Sequence, residues 1–256
     1  MTIHRIVHSL ATAVQFLTRL PLPGGMSQLG ADITLLRSAV SFFPLVGAGI
    51  GLATGSVIWL ALQVWPPFVA VGLGLVFEAI LTGGFHEDAV ADSCDAFGGG
   101  WTADDVLRIM KDSRIGSFGA LGLLLAVGLR ATGLASLDPT RVIFTTMASA
   151  TLGRWAILVL MATVKPVPKR DSLAKDVGEQ IGWREVVGGS LLALPGIVAY
   201  ALHDPVRTAI MLTAVMAITY LWGQYVRRRI GGVTGDCLGA ICYLAQVTVL
   251  LVACAT

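Results

Sequence analysis

The sequence predicts an all-α protein: a polytopic integral membrane bundle of about seven spans, with an N-terminal amphipathic helix and an acidic cytoplasmic loop that carries a short helix. Three observations predict it. Apolar residues make up 55% of the 256 residues and charged residues only 13%, against about 25% charged in a typical soluble domain. Apolar stretches of spanning length recur along the chain. Lysines and arginines gather on alternate connections. The composition excludes a disordered chain, a basic nucleic-acid-binding domain and an ordinary cytosolic enzyme, and a net charge of +2 says nothing further about partners.

Residues 3–20 place Ile3, Ile6, Val7, Leu10, Val14 and Leu17 at helical spacing. They predict a helix that lies in the membrane interface or packs against the bundle, with His4 and His8 on its polar face. Spans follow at about 38–63, 67–84, 115–137, 141–164, 185–202, 206–226 and 236–255. Trp65-Pro66-Pro67, Asp138-Pro139 and Asp204-Pro205 mark three tight turns, because proline and its predecessor resist helix. The polar stretch from Lys165 to Gly182, with its two prolines, is expected to be a flexible loop. No signal peptide is visible, and the four cysteines read as small apolar residues. Of the 18 lysines and arginines, 14 fall on one side of a seven-span arrangement, and only Arg141 and Arg207 on the other. The positive-inside rule then puts the N-terminus and the long polar loops in the cytoplasm. The whole of 1–256 reads as one membrane-embedded domain, with the acidic motif in loop 85–114.

That loop holds the densest run of carboxylates, within G83-G-F-H-E-D-A-V-A-D-S-C-D-A-F-G-G-G100. Asp88 and Asp92 are i,i+4, and Asp92 and Asp95 are i,i+3, so on a helix all three share a face. Two like charges about 4 Å apart repel by roughly 4 kcal/mol at an effective dielectric of 20. A cation is expected to neutralise them, and hard oxygen ligands at this spacing suit Mg²⁺. His86 could bind a substrate phosphate, orient Asp88 or simply pack. Glu78, inside the second apolar stretch, could support the metal site or pair with Arg130 or Arg154, the two cations inside spans. Thr102 with Asp104 and Asp105 reads as a capped helix start.

Downstream, V106-L-R-I-M-K-D-S-R-I-G-S117 brings Lys111, Asp112 and Arg114 to the mouth of the third span. A carboxylate-held Mg²⁺ facing lysine and arginine suits a pyrophosphate: the metal bridges phosphate oxygens and the cations stabilise the leaving group. Arg154, at a span centre, needs a partner or an anionic ligand. Asp236, in G231-G-V-T-G-D-C-L-G-A240, is either a helix-start residue or a further carboxylate of the site.

Taken together, these segments resemble the adenosylcobinamide-GDP ribazoletransferase (cobalamin synthase, cobalamin-5′-phosphate synthase) family. The resemblance runs through F16-L-T-R-L-P-L-P23, R37-S-A-V-S-F-F-P-L-V-G-A-G-I-G51, T82-G-G-F-H-E-D-A-V-A-D-S-C-D-A-F-G-G-G100, M110-K-D-S-R-I-G-S-F-G-A120 and G231-G-V-T-G-D-C-L-G-A240. Ala89 departs from the glycine usual after the first aspartate, and the 165–178 segment matches only weakly. The resemblance implies a multi-pass enzyme of the bacterial inner membrane. It implies Mg²⁺-dependent transfer of the adenosylcobinamide-phosphate moiety of adenosylcobinamide-GDP to α-ribazole or α-ribazole 5′-phosphate, with release of GMP. In that reading Asp88, Asp92 and Asp95 hold Mg²⁺, Lys111 and Arg114 neutralise the departing phosphate, and Asp92 or Asp236 accepts the hydroxyl proton. His86, Arg37, Arg154 and Asp112 are candidate substrate contacts. The lipid bilayer is a partner, nucleic acid is not, and a homo-oligomer is compatible with the sequence. A CDP-alcohol phosphatidyltransferase-like enzyme would need D-G-x-x-A-R followed by G-x-x-x-D-x-x-x-D, whereas here the aspartates are spaced D-x-x-x-D-x-x-D and no arginine follows Ala91. A cation transporter would need Glu78, Arg130 and Arg154 to line a path.

Overall fold

A computed structural model describes residues 3–21, 33–168 and 181–255. The described residues form eleven α-helices: α1 (Ile3–Leu17), α2 (Ile33–Val40), α3 (Phe43–Ala61), α4 (Pro67–Thr82), α5 (Phe85–Gly99), α6 (Ala103–Ile109), α7 (Ser117–Ala135), α8 (Val142–Thr163), α9 (Trp183–Ala201), α10 (Pro205–Ile230) and α11 (Gly235–Cys254), with one 3-10 turn at Pro139–Arg141. Extended pairing among them is limited to an isolated bridge between Pro166 and Val233. Most of the polar stretch 165–182 lies outside the described residues.

Five helices have the length and apolarity to cross a membrane: α3, α7, α8 with its preceding turn, α10 and α11. The α4–α5 pair makes a sixth if its two arms count as one broken span. About seven spans were expected, and two segments account for the difference. Helix α4 has only 16 residues, about 24 Å of rise against a hydrocarbon core of about 30 Å. Helix α9 opens on Arg184 and Glu185 and contains Pro195.

Helix α8 is the core element, buried along nearly its whole length. Against it lies α3, whose Gly47, Gly51 and Gly55 recur every fourth residue. A Cβ on Gly47 would come within 2.5 Å of the Ala150 carbonyl oxygen, and one on Gly51 or Gly55 would strike the backbone or side chain of Thr146. Small residues at this spacing let two helix backbones approach closely. Helix α11 packs on another side of α8, where the Ser149 hydroxyl donates to the Gln246 carbonyl at 3.3 Å. Cys237 and Cys242 are buried within this packing, as small apolar residues would be. The second half of α1 buries Ala11, Ala13 and Leu17 in the bundle, while Ile6 and Val7 stay exposed.

The polar segment after α4 departs from the expected loop. It forms a 15-residue helix, α5, turned 90° from α4. Gly83 (φ +74°) and Gly84 (φ +67°) make the bend, a left-handed pair that costs an L side chain but not glycine. Ala89, Val90, Ala91, Ser93 and Ala96 give α5 a face of small residues that is buried in the bundle. A Cβ on Gly239 of α11 would collide with that of Ala89. The pairs Asp95 with Gly116 and Gly119, and Glu87 with Arg130, set α5 antiparallel to α7.

Candidate functional site: a carboxylate cleft beside the helix bend

Asp88 and Asp92 lie on a common cleft of about 500 Å³, whose walls also include Arg19, the two bend glycines, Phe85, Ser113 and Ile115. Asp88 is exposed and Asp92 half-buried. Their i,i+4 spacing puts both carboxylates on the same side of α5.

Asp95 shares that face but is engaged elsewhere. The Gly116 and Gly119 N–H groups each donate to its carboxylate at 2.7 Å. The first N–H groups of a helix have no intrahelical acceptor, and the helix dipole favours negative charge there. The N-terminus of α7 thus provides the counter-charge that the sequence led one to expect from a cation. Among the described residues, no three His, Cys, Asp or Glu side chains are grouped to hold a metal ion.

Asp112 and Arg114 line a neighbouring cleft together with Asp95, across Ile115. Arg114 grips Asp112 at 2.7 Å, and these hydrogen bonds hold the Asp112 carboxyl down at about 2. Lys111 is exposed beside them. Thr102 and Asp105 form a capping box at the start of α6, and the threonine's hydrogen bonds hold the Asp105 carboxyl below the usual carboxylate range.

Asp236 sits in the first turn of α11, where Thr234 is the cap, its hydroxyl accepting from the Cys237 N–H at 3.3 Å. The Asp236 carbonyl accepts from the Ser93 hydroxyl at 3.4 Å, so the backbone at Asp236 lies against α5 at Ser93, the residue that follows Asp92. Arg37 reaches Glu185 at the start of α9, at 2.8 Å.

Below the cleft the structure selects one of the partners considered for Glu78. Arg130 meets Glu78 at 2.6 Å, both side chains about 95% buried, and approaches Glu87 at 3.6 Å. One guanidinium from α7 therefore ties α4 to α5 across their bend. Glu78 sits in this bridge. His86 is 2% exposed, and its Nδ1 has no hydrogen-bond partner. Arg154 is fully buried on α8 with no hydrogen-bond partner on its guanidinium nitrogens. It lies close enough to couple electrostatically to Glu78 and His86.

Sequence reasoning missed Arg19 and Glu87. Arg19 had counted only as one of the positive charges on the cytoplasmic side, although it lies within F16-L-T-R-L-P. Glu87 stands beside Asp88, and no local pattern separates its role from that of its neighbour.

Fold and cleft together define a polytopic helical membrane protein with a pair of carboxylates set beside a bend between two helices. The chain belongs to the cobalamin-5-phosphate synthase family, whose model matches residues 9–254. Among its relatives, the adenosylcobinamide-GDP ribazoletransferase of Ralstonia pickettii is 35% identical over 246 residues, 94% of this chain and 93% of the relative. Those of Leptothrix cholodnii and a Shewanella species (strain W3-18-1) are each 36% identical, covering 93% and 97% of this chain and 92% and 95% of the relatives. No solved structure matches.

Proposed function

We propose that the chain transfers the adenosylcobinamide-phosphate moiety of adenosylcobinamide-GDP to α-ribazole or its 5′-phosphate, releasing GMP. The relatives' names and the extent of the match support the reaction. The observation that carries the site is the pairing of Asp88 and Asp92 on one cleft with Arg19. Two hard carboxylates suit Mg²⁺, which is commonly held by one or two protein carboxylates together with substrate phosphates. Asp88 and Asp92 would hold that ion, which when bound offsets the charge of the diphosphate. The rest falls to the chain's own groups. Arg19 takes up diphosphate charge at the cleft wall. A ribose hydroxyl of ribazole attacks the cobinamide-side phosphorus, the bond from that phosphorus to the bridging oxygen breaks, and GMP leaves with the bridging oxygen. The hydroxyl proton passes to a carboxylate, Asp92 or Asp236. Asp95 orients α7, while Lys111 and Arg114 supply positive charge at the mouth. On the seven-span arrangement expected from the sequence, the lysines and arginines would set this cleft on the cytoplasmic side of a bacterial inner membrane.

The test is purified protein in lipid with adenosylcobinamide-GDP, α-ribazole and Mg²⁺, following GMP and the corrinoid product. Asp88→Asn and Asp92→Asn should each lower turnover by about 10²–10³-fold with membrane insertion intact. Either variant running at the wild-type rate under limiting Mg²⁺ defeats the assignment.

A further inference from the structure

A second cavity adjoins the carboxylate cleft. It lies among α1, α2, α3, α5, α8 and α11, and Phe85 forms a wall of both. Its lining is apolar throughout, with Phe16, Phe43, Leu36 and Met161 around it and Gly235 beside Asp236. Phe16 stacks on Phe43 at 5.4 Å and meets Phe85 edge-on at 5.8 Å. Phe16 and Phe85 are 43% and 42% exposed, so these two rings frame the entrance.

We propose that this groove is the subsite for the heteroaromatic base of α-ribazole; the assignment rests on the reaction proposed above. Three properties choose the occupant. The first is polarity. A dimethylbenzimidazole carries one ring nitrogen acceptor and is otherwise apolar, whereas a guanine entering the same groove would leave several donors and acceptors without partners. The second is size. The groove offers about 70 Å³, less than half of the about 150 Å³ that encloses a benzene. Through its open mouth it can take the edge of a planar ring, and it is far too small for a corrin macrocycle. The third is continuity. With the base in the groove, the attached ribose lies where the groove meets the cleft at Phe85, and its hydroxyls reach the side on which Asp88 and Asp92 stand. The diphosphate keeps the polar cleft and the apolar base takes the apolar groove, so the two reacting groups meet at their shared wall.

Gly235 provides a plug. A Cβ there meets nothing within 4 Å, so a larger side chain enters open space without displacing a neighbour. Equilibrium dialysis of α-ribazole against wild type and Gly235→Val in lipid nanodiscs reads occupancy without turnover. Saturable binding by wild type, weakened tenfold or more by the plug, with adenosylcobinamide-GDP binding unchanged, is the expected result. Phe16→Ala, at the entrance, should weaken α-ribazole in the same selective way and reduce the preference for dimethylbenzimidazole riboside over an adenine riboside. Unchanged α-ribazole binding in both variants overturns the subsite. So does an equal loss for both substrates, or an acyl chain retained by wild type that α-ribazole does not displace. GMP release by wild type is scored separately, so failure of the reaction and failure of the subsite give different results.

Discussion

Replacing Arg130 by methionine probes the bridge beneath the cleft. The Glu78 and Arg130 side chains are 4% and 5% exposed, with N and O 2.6 Å apart. Opposite charges at that separation attract by about 6 kcal/mol at an effective dielectric of 20. Removing both from water offsets much of this, so the net worth of the pair is far smaller. Orphaning one partner is a different matter. Arg130→Met leaves Glu78 buried without its counter-ion and removes the second carboxylate's partner too. The expected loss of stability is about 3–5 kcal/mol. Glu78→Leu should cost less, because Arg130 keeps Glu87 at 3.6 Å and the Tyr243 ring at 5.3 Å. The double variant should unfold closer to Glu78→Leu than to Arg130→Met, because Glu87, 23% exposed, can rehydrate once uncovered. Unfolding in mixed micelles, followed by tryptophan fluorescence, measures all three. Arg130→Met within about 1 kcal/mol of wild type, or Glu78→Leu costing the larger amount, refutes the argument; the yardstick is the 3–5 kcal/mol of a broken buried pair.

Gly51→Leu forces α3 away from the Thr146 and Met147 backbone and should cost at least the 1–3 kcal/mol typical of overpacking; Gly49→Leu, where a Cβ meets nothing within 4 Å, should be tolerated, and thermal unfolding of the two in detergent separates them. The Asp112 carboxyl, held at about 2 against an ordinary 3.8, should return toward that ordinary range in Arg114→Gln when followed by carbon NMR. Because its folded value lies below its unfolded one, its contribution to stability is complete above about pH 4 and is lost as the pH falls toward 2. Full exposure and salt screening keep that contribution small.

The spans were legible because hydropathy is a local property: five apolar segments became helices long enough to cross a membrane. The cap at Thr102 was legible for the same reason, since its partner Asp105 is three residues away. The course of α5 was harder. Its charges read as a loop, yet the buried face of Ala89, Val90, Ser93 and Ala96 is written at i, i+1, i+4 and i+7 and marks one side of a helix. The Gly83-Gly84 pair carried the bend. Pairings across the fold left no local trace. Arg37 finds Glu185 148 residues away, and Glu78 finds Arg130 52 residues away. The cost of a buried charge demands a partner in such cases but does not name it.

The three aspartates show why a shared helix face does not fix what each carboxylate does. Repulsion on one helix face calls for positive charge, and a metal ion is only one way to supply it. The start of α7 supplies it to Asp95 through two N–H donors at 2.7 Å, and this same contact fixes the height of α5 along α7. Farther down, Glu87 and Arg130 fix it again. Asp88 and Asp92 lie between these two anchors, adjacent to Glu87 on one side and one turn from Asp95 on the other. A carboxylate held between two fixed points loses little freedom when a ligand arrives, and that preorganisation favours binding. The acidic face thus divides its work: its ends build the helix pair, and its middle lines the cleft.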